Sequence, residues 1–409
     1  MKILLSIALL VICAQTHGTT LHVGPNKPYR SITNAIKSAQ EGDTVLVSPG
    51  VYREKNIVID KRIVLQGIAH PVLDGEGKYE VISVKANGVV IDGFKVIRSG
   101  HSSINDMGGI KIYDSNYVTV ENNILEDTFF GIYLQYASFC KIRNNRITAH
   151  AIEEQQSGNG IHCWKSDSLL IIGNEISGHR DGIYFEFVTG STIWRNESHR
   201  NLRYGLHFMF SHNNTYITNI FRNNGAGVAV MYSHGVKMFN NFFADNWGDA
   251  AYGLLLKEIS DSHIEGNHFN SNTMAIYMEG ATRIKTLRNA FSNNGWAMKV
   301  QASCMDITVE ENNFTGNSFD VATNGSLVLN TFNKNYWDKY EGYDLDKNGT
   351  GDIPYRPVSM FSVITEKNPP AMILFRSFIT TLMDKTEKIL PGLTPENLKD
   401  GQPSMKLLF

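Results

Sequence analysis

The sequence predicts a right-handed, single-stranded parallel β-helix, an all-β solenoid of about ten coils of roughly 22 residues each. Three observations predict it. A small residue followed by an apolar-x-apolar triplet recurs at Gly109, Gly131, Gly160, Gly182, Gly205, Gly227, Gly253, Ala275 and Ala297, at steps of 22, 29, 22, 23, 22, 26, 22 and 22. An Asn-rich turn followed by an apolar residue recurs within the units, as in Asn122-Asn123-Ile124, Asn144-Asn145-Arg146-Ile147, Asn240-Asn241-Phe242 and Asn312-Asn313-Phe314. Charged residues make up only 19 % of the 409, whereas there are 35 glycines, which suits many short strands joined by tight turns.

The physical logic is that of any solenoid. Short strands point alternate residues inward, and one coil cannot bury that inward face alone. Stacked coils bury one continuous core and pair their edges, while Asn and Gly supply the left-handed backbone of the corners.

Along the chain, residues 1–18 read as a secretory leader: Lys2, an apolar run from Ile3 to Ile12, then a small and polar exit from Ala14 to Gly18. The run is too short to span a bilayer, and Ile12 stands where a lipidated Cys13 would need a small residue before it. Residues 19–367 form the solenoid. It opens with a short amphipathic helix within Pro28 to Ala39, whose Ile32, Ala35, Ile36 and Ala39 share a face, followed by a first strand over Thr44 to Val47. This helix would cover the open end of the core. The long steps place insertions around Ala149 to Gly158 and Trp247 to Tyr252, which in solenoids become loops on one face. Residues 368–409 form a tail whose segment Ala371 to Leu390, stopped by Pro391, is either a core cap or a docking helix; Met372, Phe375, Phe378 and Leu382 are its candidate partner-docking residues.

The 38 basic and 40 acidic residues leave no single-signed field to attract nucleic acid. Three cysteines follow the leader, Cys140, Cys163 and Cys304, without a CxxC; they read as small buried hydrophobes, not a disulfide framework or a zinc site. No GxxxxGK[ST] motif occurs, so the chain is no ATPase of that class.

Aligning coils on the anchor sends the first and third following residues inward and the second and fourth outward. The second column runs Lys111, Tyr133, His162, Tyr184, His207, Ala229, Leu255, Tyr277, Lys299. The fourth runs Tyr113, Gln135, Trp164, Glu186, Met209, Met231, Lys257, Glu279, Gln301. His207, Met209 and Met231 should then cluster on the outer face, with His212 stacked on His234 and Met238 in the next turn. Thioethers and imidazoles are the ligand types that select Cu(I) without thiolates, so these six residues are the candidate copper ligands. Met and aromatic residues on a solenoid face also serve packing against a loop or partner. A second metal candidate is calcium at Asp344, Asp346 and Asn348, where DLDKNGTGD opens like a calcium loop but has Tyr355 at the twelfth position; an Asx-rich turn closing the last coil is the competing reading.

The segments GNGIHCWKSDS, GHRDGIYFEFV, NLRYGLHFMFSH, GAGVAVMYSHGVKMF, WGDAAYGLLLKEISDS and YEGYDLDKNGTGDIPYRPVSMFS resemble the NosD family of nitrous-oxide-reductase maturation proteins over nearly the whole chain. The resemblance implies a periplasmic accessory protein on a pectate-lyase-like solenoid. It implies partnership with an ABC transporter (ATPase NosF, permease NosY), the copper chaperone NosL and the reductase NosZ, and handling of copper or of sulfur for the cluster. It also implies that the chain is not an enzyme. The competing class is a lyase, epimerase or glycan-binding module on the same fold, since fold alone does not decide function. Glu186, Tyr184, His162 and His207 could be drafted as acid and base, but a hydrolase needs two carboxylates flanking the bond, and Glu186 lies between Trp164 and Met209.

Overall fold

In the computed structural model the described residues are 18–101, 106–325, 329–389 and 398–409; the expected leader, apart from Gly18, lies outside them. The strands stack into three parallel sheets of 14, 13 and 12 strands. Each coil visits them in the same order. Tyr204–Met209 lies in the 12-stranded sheet, Thr215–Ile217 in the 14-stranded sheet, Ile220–Arg222 in the 13-stranded sheet, and Ala226–Met231 returns one rung further on. The architecture is a parallel β-helix of about fourteen turns, not ten. The repeat undercounts because the anchor pattern fails at both ends. The strands Ile57–Ile59 and Ile82–Val84 follow Asn56 and Val81 instead of a glycine and keep only three residues each.

Inward side chains form one core. In the 13-stranded sheet it is aliphatic at first (Val96, Leu125, Ile147, Ile176) and becomes a stack of rings, Phe221, Phe243, Phe269, Phe291, Phe314 and Trp337, with centroids 4.0–5.6 Å apart. The rung spacing of a sheet, about 4.8 Å, is also a favourable ring-stacking distance. Each such ring contributes roughly 1.5–3 kcal/mol through burial.

The Asn-rich corners are built, not merely tolerated. Asn123, Asn145, Asn174, Asn196, Asn219, Asn241, Asn267, Asn289, Asn312 and Asn335 are buried in file. Each side-chain oxygen accepts both the backbone N–H and the side-chain amide of the Asn one coil before, at 2.8–3.1 Å. The second amide hydrogen goes to a strand carbonyl, for example Ile193 from Asn219. The preceding Asn122, Asn144 and Asn240 hold φ of 52–53°, a conformation Asn adopts more readily than most residues.

Both ends are closed. Helix α1 (Ile32–Ser38) buries Ile32, Ala35 and Ile36, and its N-terminal N–H groups on Ile32 and Thr33 donate to Glu54 at 2.7 and 2.9 Å. At the other end, Asp400 ends the Asn file: its Oδ2 accepts from the Asn335 backbone and side-chain amides (2.9 and 3.0 Å) and from Trp337 Nε1 (3.0 Å).

The tail differs from the single helix expected over Ala371 to Leu390. It comprises α2 (Met360–Lys367), a 3-10 segment Pro369–Leu374, and α3 (Phe378–Ile389). Pro369-Pro370 and the left-handed Arg376 (φ 60°) interrupt the helical path. Part of this region closes the core's end. Phe361 is buried and Phe375 lies 5.3 Å from Phe319 at the core's end, with Lys299–Glu366 at 2.7 Å fastening α2 to the solenoid. Met372 is half-buried, whereas Phe378 and Leu382 are exposed at 81 and 53 %, beside exposed Ile373 and Ile379.

Candidate functional site

The outer face of the 12-stranded sheet carries the residues singled out above, in the register counted from the sequence. Tyr133, His162, Tyr184, His207, Ala229 and Leu255 are successive partners, as are Gln135, Trp164, Glu186, Met209, Met231 and Lys257. Alternation along each strand puts both columns outside the core.

Within the second column His207 is nevertheless not open to water, which corrects its placement. Its ring lies 4.9 Å from the Tyr184 ring and 4.8 Å from the Tyr204 ring, and the residue is only 4 % exposed. A copper ion cannot reach it without displacing those tyrosines. Met238 is corrected outright. It sits on the inward position of Lys237–Phe239, fully buried in the core, because the turn after His234 restarts the inward–outward alternation. His212 and His234 do stack, 4.0 Å apart and nearly coplanar, with His212 Nδ1 accepting the His234 backbone N–H at 3.2 Å. That bond engages His212 Nδ1, and among the described residues no third His, Cys, Asp or Glu completes a metal site with the pair. Burial and the neighbouring His234 lower the pKa of His212.

What remains of the six is Met209 and Met231, direct register partners, both half-buried and bounded by Glu186 on one side and Lys257 on the other. Two thioethers one rung apart can ligate one soft cation. Among the described residues no group of three or more His, Cys, Asp or Glu is placed to hold a metal ion.

Reading only those two columns missed a neighbouring cluster. Asp181, just before the Gly182 anchor, is wholly buried. Arg203 grips it with a two-point fork, Nε to Oδ1 at 2.9 Å and a terminal nitrogen to Oδ2 at 2.6 Å, and His207 Nδ1 stands 3.6 Å from Oδ2. Burial alone would raise the Asp181 pKa, but Arg203 and His207 hold it down to about 2. Neither ring nitrogen of His207 has a hydrogen-bond partner. One rung back, His162 lies between Tyr133 (4.3 Å) and Tyr184 (5.0 Å). Asn159 donates to its Nδ1 at 2.9 Å, and burial, reinforced by Arg180, pushes its pKa to about 3. The sequence signal was the position before the anchor, where Asp181 is the one charged residue, with Phe130, Asn159, Tyr204, Ala226 and Tyr252 in the neighbouring coils.

The calcium candidates form a self-satisfied turn. Asp344 accepts from Asn348 and Gly349 backbone N–H groups at 3.1 and 2.8 Å, Asp346 from the Asn348 backbone and side-chain amides at 3.2 and 2.8 Å, and Asn348 from Thr350 at 2.7 Å. These bonds are those of successive Asx turns, the competing reading, and leave each carboxylate further acceptor sites. Cys140, Cys163 and Cys304 are free and buried, and burial pushes the Cys140 thiol up to about 11. They are therefore poor metal ligands.

Residues 144–342 match the family described as "Periplasmic copper-binding protein (NosD)", and residues 26–168 match the family described as "Right handed beta helix region". The chain is 26 % identical over 373 residues to a probable ABC transporter binding protein NosD of Pseudomonas aeruginosa, covering 86 % of each. It is 24 % identical over 387 residues to a like-named protein of Stutzerimonas stutzeri, covering 82 % of this chain and 81 % of that one. The fold is shared with the mannuronan C-5 epimerase AlgE4 A-module of Azotobacter vinelandii, at TM-score 0.52, 15 % identity, and coverage of 71 % of this chain and 86 % of that one. No helix among the described residues is long and apolar enough to cross a membrane.

Proposed function

We propose that this NosD-like chain is a periplasmic accessory protein in assembly of the copper centres of nitrous oxide reductase, working as a metal chaperone of denitrification. It takes Cu(I) transiently as cargo on the Met209–Met231 pair and passes it to the docked apo-reductase NosZ. NosL is the donor. The tail helices hold the chain to the permease NosY, and the ATPase NosF supplies energy from the other side of the membrane.

The observation that carries this reading is the thioether pair, two methionines in direct register on an outer sheet face. Thioethers bind Cu(I) without protonation competing and without thiols that an oxidising compartment would consume. The tail supports the docking part. Ile373, Phe378, Ile379 and Leu382 are 53–89 % exposed on a segment otherwise anchored to the solenoid. An apolar face of that kind marks a contact surface. Changing the exposed Phe378 and Leu382 to Ser should abolish co-purification with NosY while leaving Asp400 and the core's end in place; a double variant that still co-purifies would refute the docking assignment. The Cu(I) arm is tested by titration of the Met209→Leu/Met231→Leu chain, which should lose binding while keeping its fold.

A further inference from the structure

Where the 14- and 13-stranded sheets meet at the Asn corner, outer residues on either side of the Asn file wall a groove running along the solenoid. One wall is apolar over four coils; the other is apolar over the last two, where Ile220 and Phe242 follow Glu175 and Glu197, which are paired with Arg146 and Arg222. Ile172, Trp194, Ile217 and Phe239 are successive partners on one side, and Ile220 and Phe242, 38 and 39 % exposed, are partners on the other. Beyond this stretch the pair Glu265–Arg288 closes the groove with charge.

The protein itself shows what this groove accepts. Downstream, its own segment Ser404 to Phe409 lies in the same groove. Ser404 N–H donates to Asn335 O at 2.9 Å, Leu408 N–H to Asn313 Oδ1 at 3.1 Å, and Asn313 Nδ2 to Phe409 O at 3.3 Å. The segment runs back along the stack, and Phe409 walls a cavity of ≈520 Å³ whose other lining includes Ile217, Phe239, His268 and Arg288. Main-chain bonds to outward amides, with aliphatic and aromatic side chains against the walls, are a way of holding an extended peptide.

We propose that the open apolar stretch from Ile172 to Phe242 binds an extended apolar peptide segment of a partner protein, laid in line with the chain's own Leu407-Leu408-Phe409. Four rungs at about 4.8 Å span roughly 19 Å, which about six extended residues fill. The occupant carries aliphatic and aromatic side chains where it meets Ile217, Ile220, Phe239 and Phe242, the coils in which both walls are apolar. This assignment is independent of the copper reading and uses none of its residues.

The test is a fluorescence-anisotropy titration of the full chain with a labelled peptide SMKLLF, the sequence of residues 404–409, against a control in which the last three residues are serine. Saturable binding, absent for the serine control and weakened at least tenfold by Phe242→Glu, is the expected result. Phe242 is an outer residue, so the variant should keep its melting temperature; if it does not, Phe242→Ser replaces it. No saturable binding by the unmodified chain would overturn the proposal. So would binding that survives the Phe242 change, because the peptide would then only be exchanging with residues 404–409. A concentration-dependent dimer in sedimentation that Phe242→Glu dissolves would also overturn it, since the groove would then belong to a second copy of this chain.

Discussion

Two buried polar stacks run along this solenoid, and they are built to different standards. In the Asn file each interior side chain places both amide hydrogens and receives two bonds on its oxygen, with Asp400 closing the last position. On the outer face of the 12-stranded sheet, the stack of Tyr133, His162, Tyr184 and His207 ends at an imidazole with neither nitrogen satisfied, beside a carboxylate pinned by one arginine. A repeat that only has to stand can satisfy every group by iteration.

The largest effect expected of that difference is in the Asn file. Asn219→Leu removes four buried bonds: it takes the acceptor from the Asn196 backbone N–H and one acceptor from its side-chain amide, one of the two donors from Asn241 Oδ1, and the amide donor from the Ile193 carbonyl. At about 1–3 kcal/mol for each buried orphan, destabilisation of roughly 4 kcal/mol or more is expected in denaturant unfolding. A loss under about 1 kcal/mol would show that the file is not what holds the corner.

Next comes Asp181→Ala, which leaves Arg203 without its carboxylate. Loss of one member of a buried pair removes about 3–5 kcal/mol, and the lower end applies because Arg203 is 34 % exposed and partly screened. Asp400→Ala should remove about 2 kcal/mol, by freeing the Asn335 and Trp337 donors at the end of the core. Equal losses for Asp181 and Asp400 would blur the contrast between the two stacks.

The pH dependence separates them further. Burial depresses the pKa of His162 to about 3 and of His179 to about 4. The unfolded chain therefore takes up these protons first, and stability should fall as pH drops from about 6.5 toward 4. Asp181, held to about 2, adds a further loss between about pH 4 and 2. A pH series of melting temperatures checks this, and a flat profile between 6.5 and 4 would contradict it.

The middle of the fold was legible in the sequence because the coil period, the inward triplets and the Asn turns all repeat there. Register followed from counting, so the Met209–Met231 adjacency could be read before any coordinates. The terminal coils were not legible, because the strands Ile57–Ile59 and Ile82–Val84 shorten to three residues and, like Phe319–Ala322, lose the small anchor. Burial of an outward column was not legible either. Periodicity says which way His207 points, but not that Tyr184 and Tyr204 close over it. Met238 was misplaced because the count was carried through a turn that resets the alternation.

The smallest effect on stability should come with the largest effect on function. Met209→Leu/Met231→Leu conserves volume on a half-buried face and should change stability by under about 1 kcal/mol. Anaerobic Cu(I) titration of the chain against a competing chelator, with this double variant alongside, tests the central claim most directly. One Cu(I) bound per chain and lost in the variant is the predicted result. Binding that the variant retains, or none by the unmodified chain, would contradict a copper site on this face.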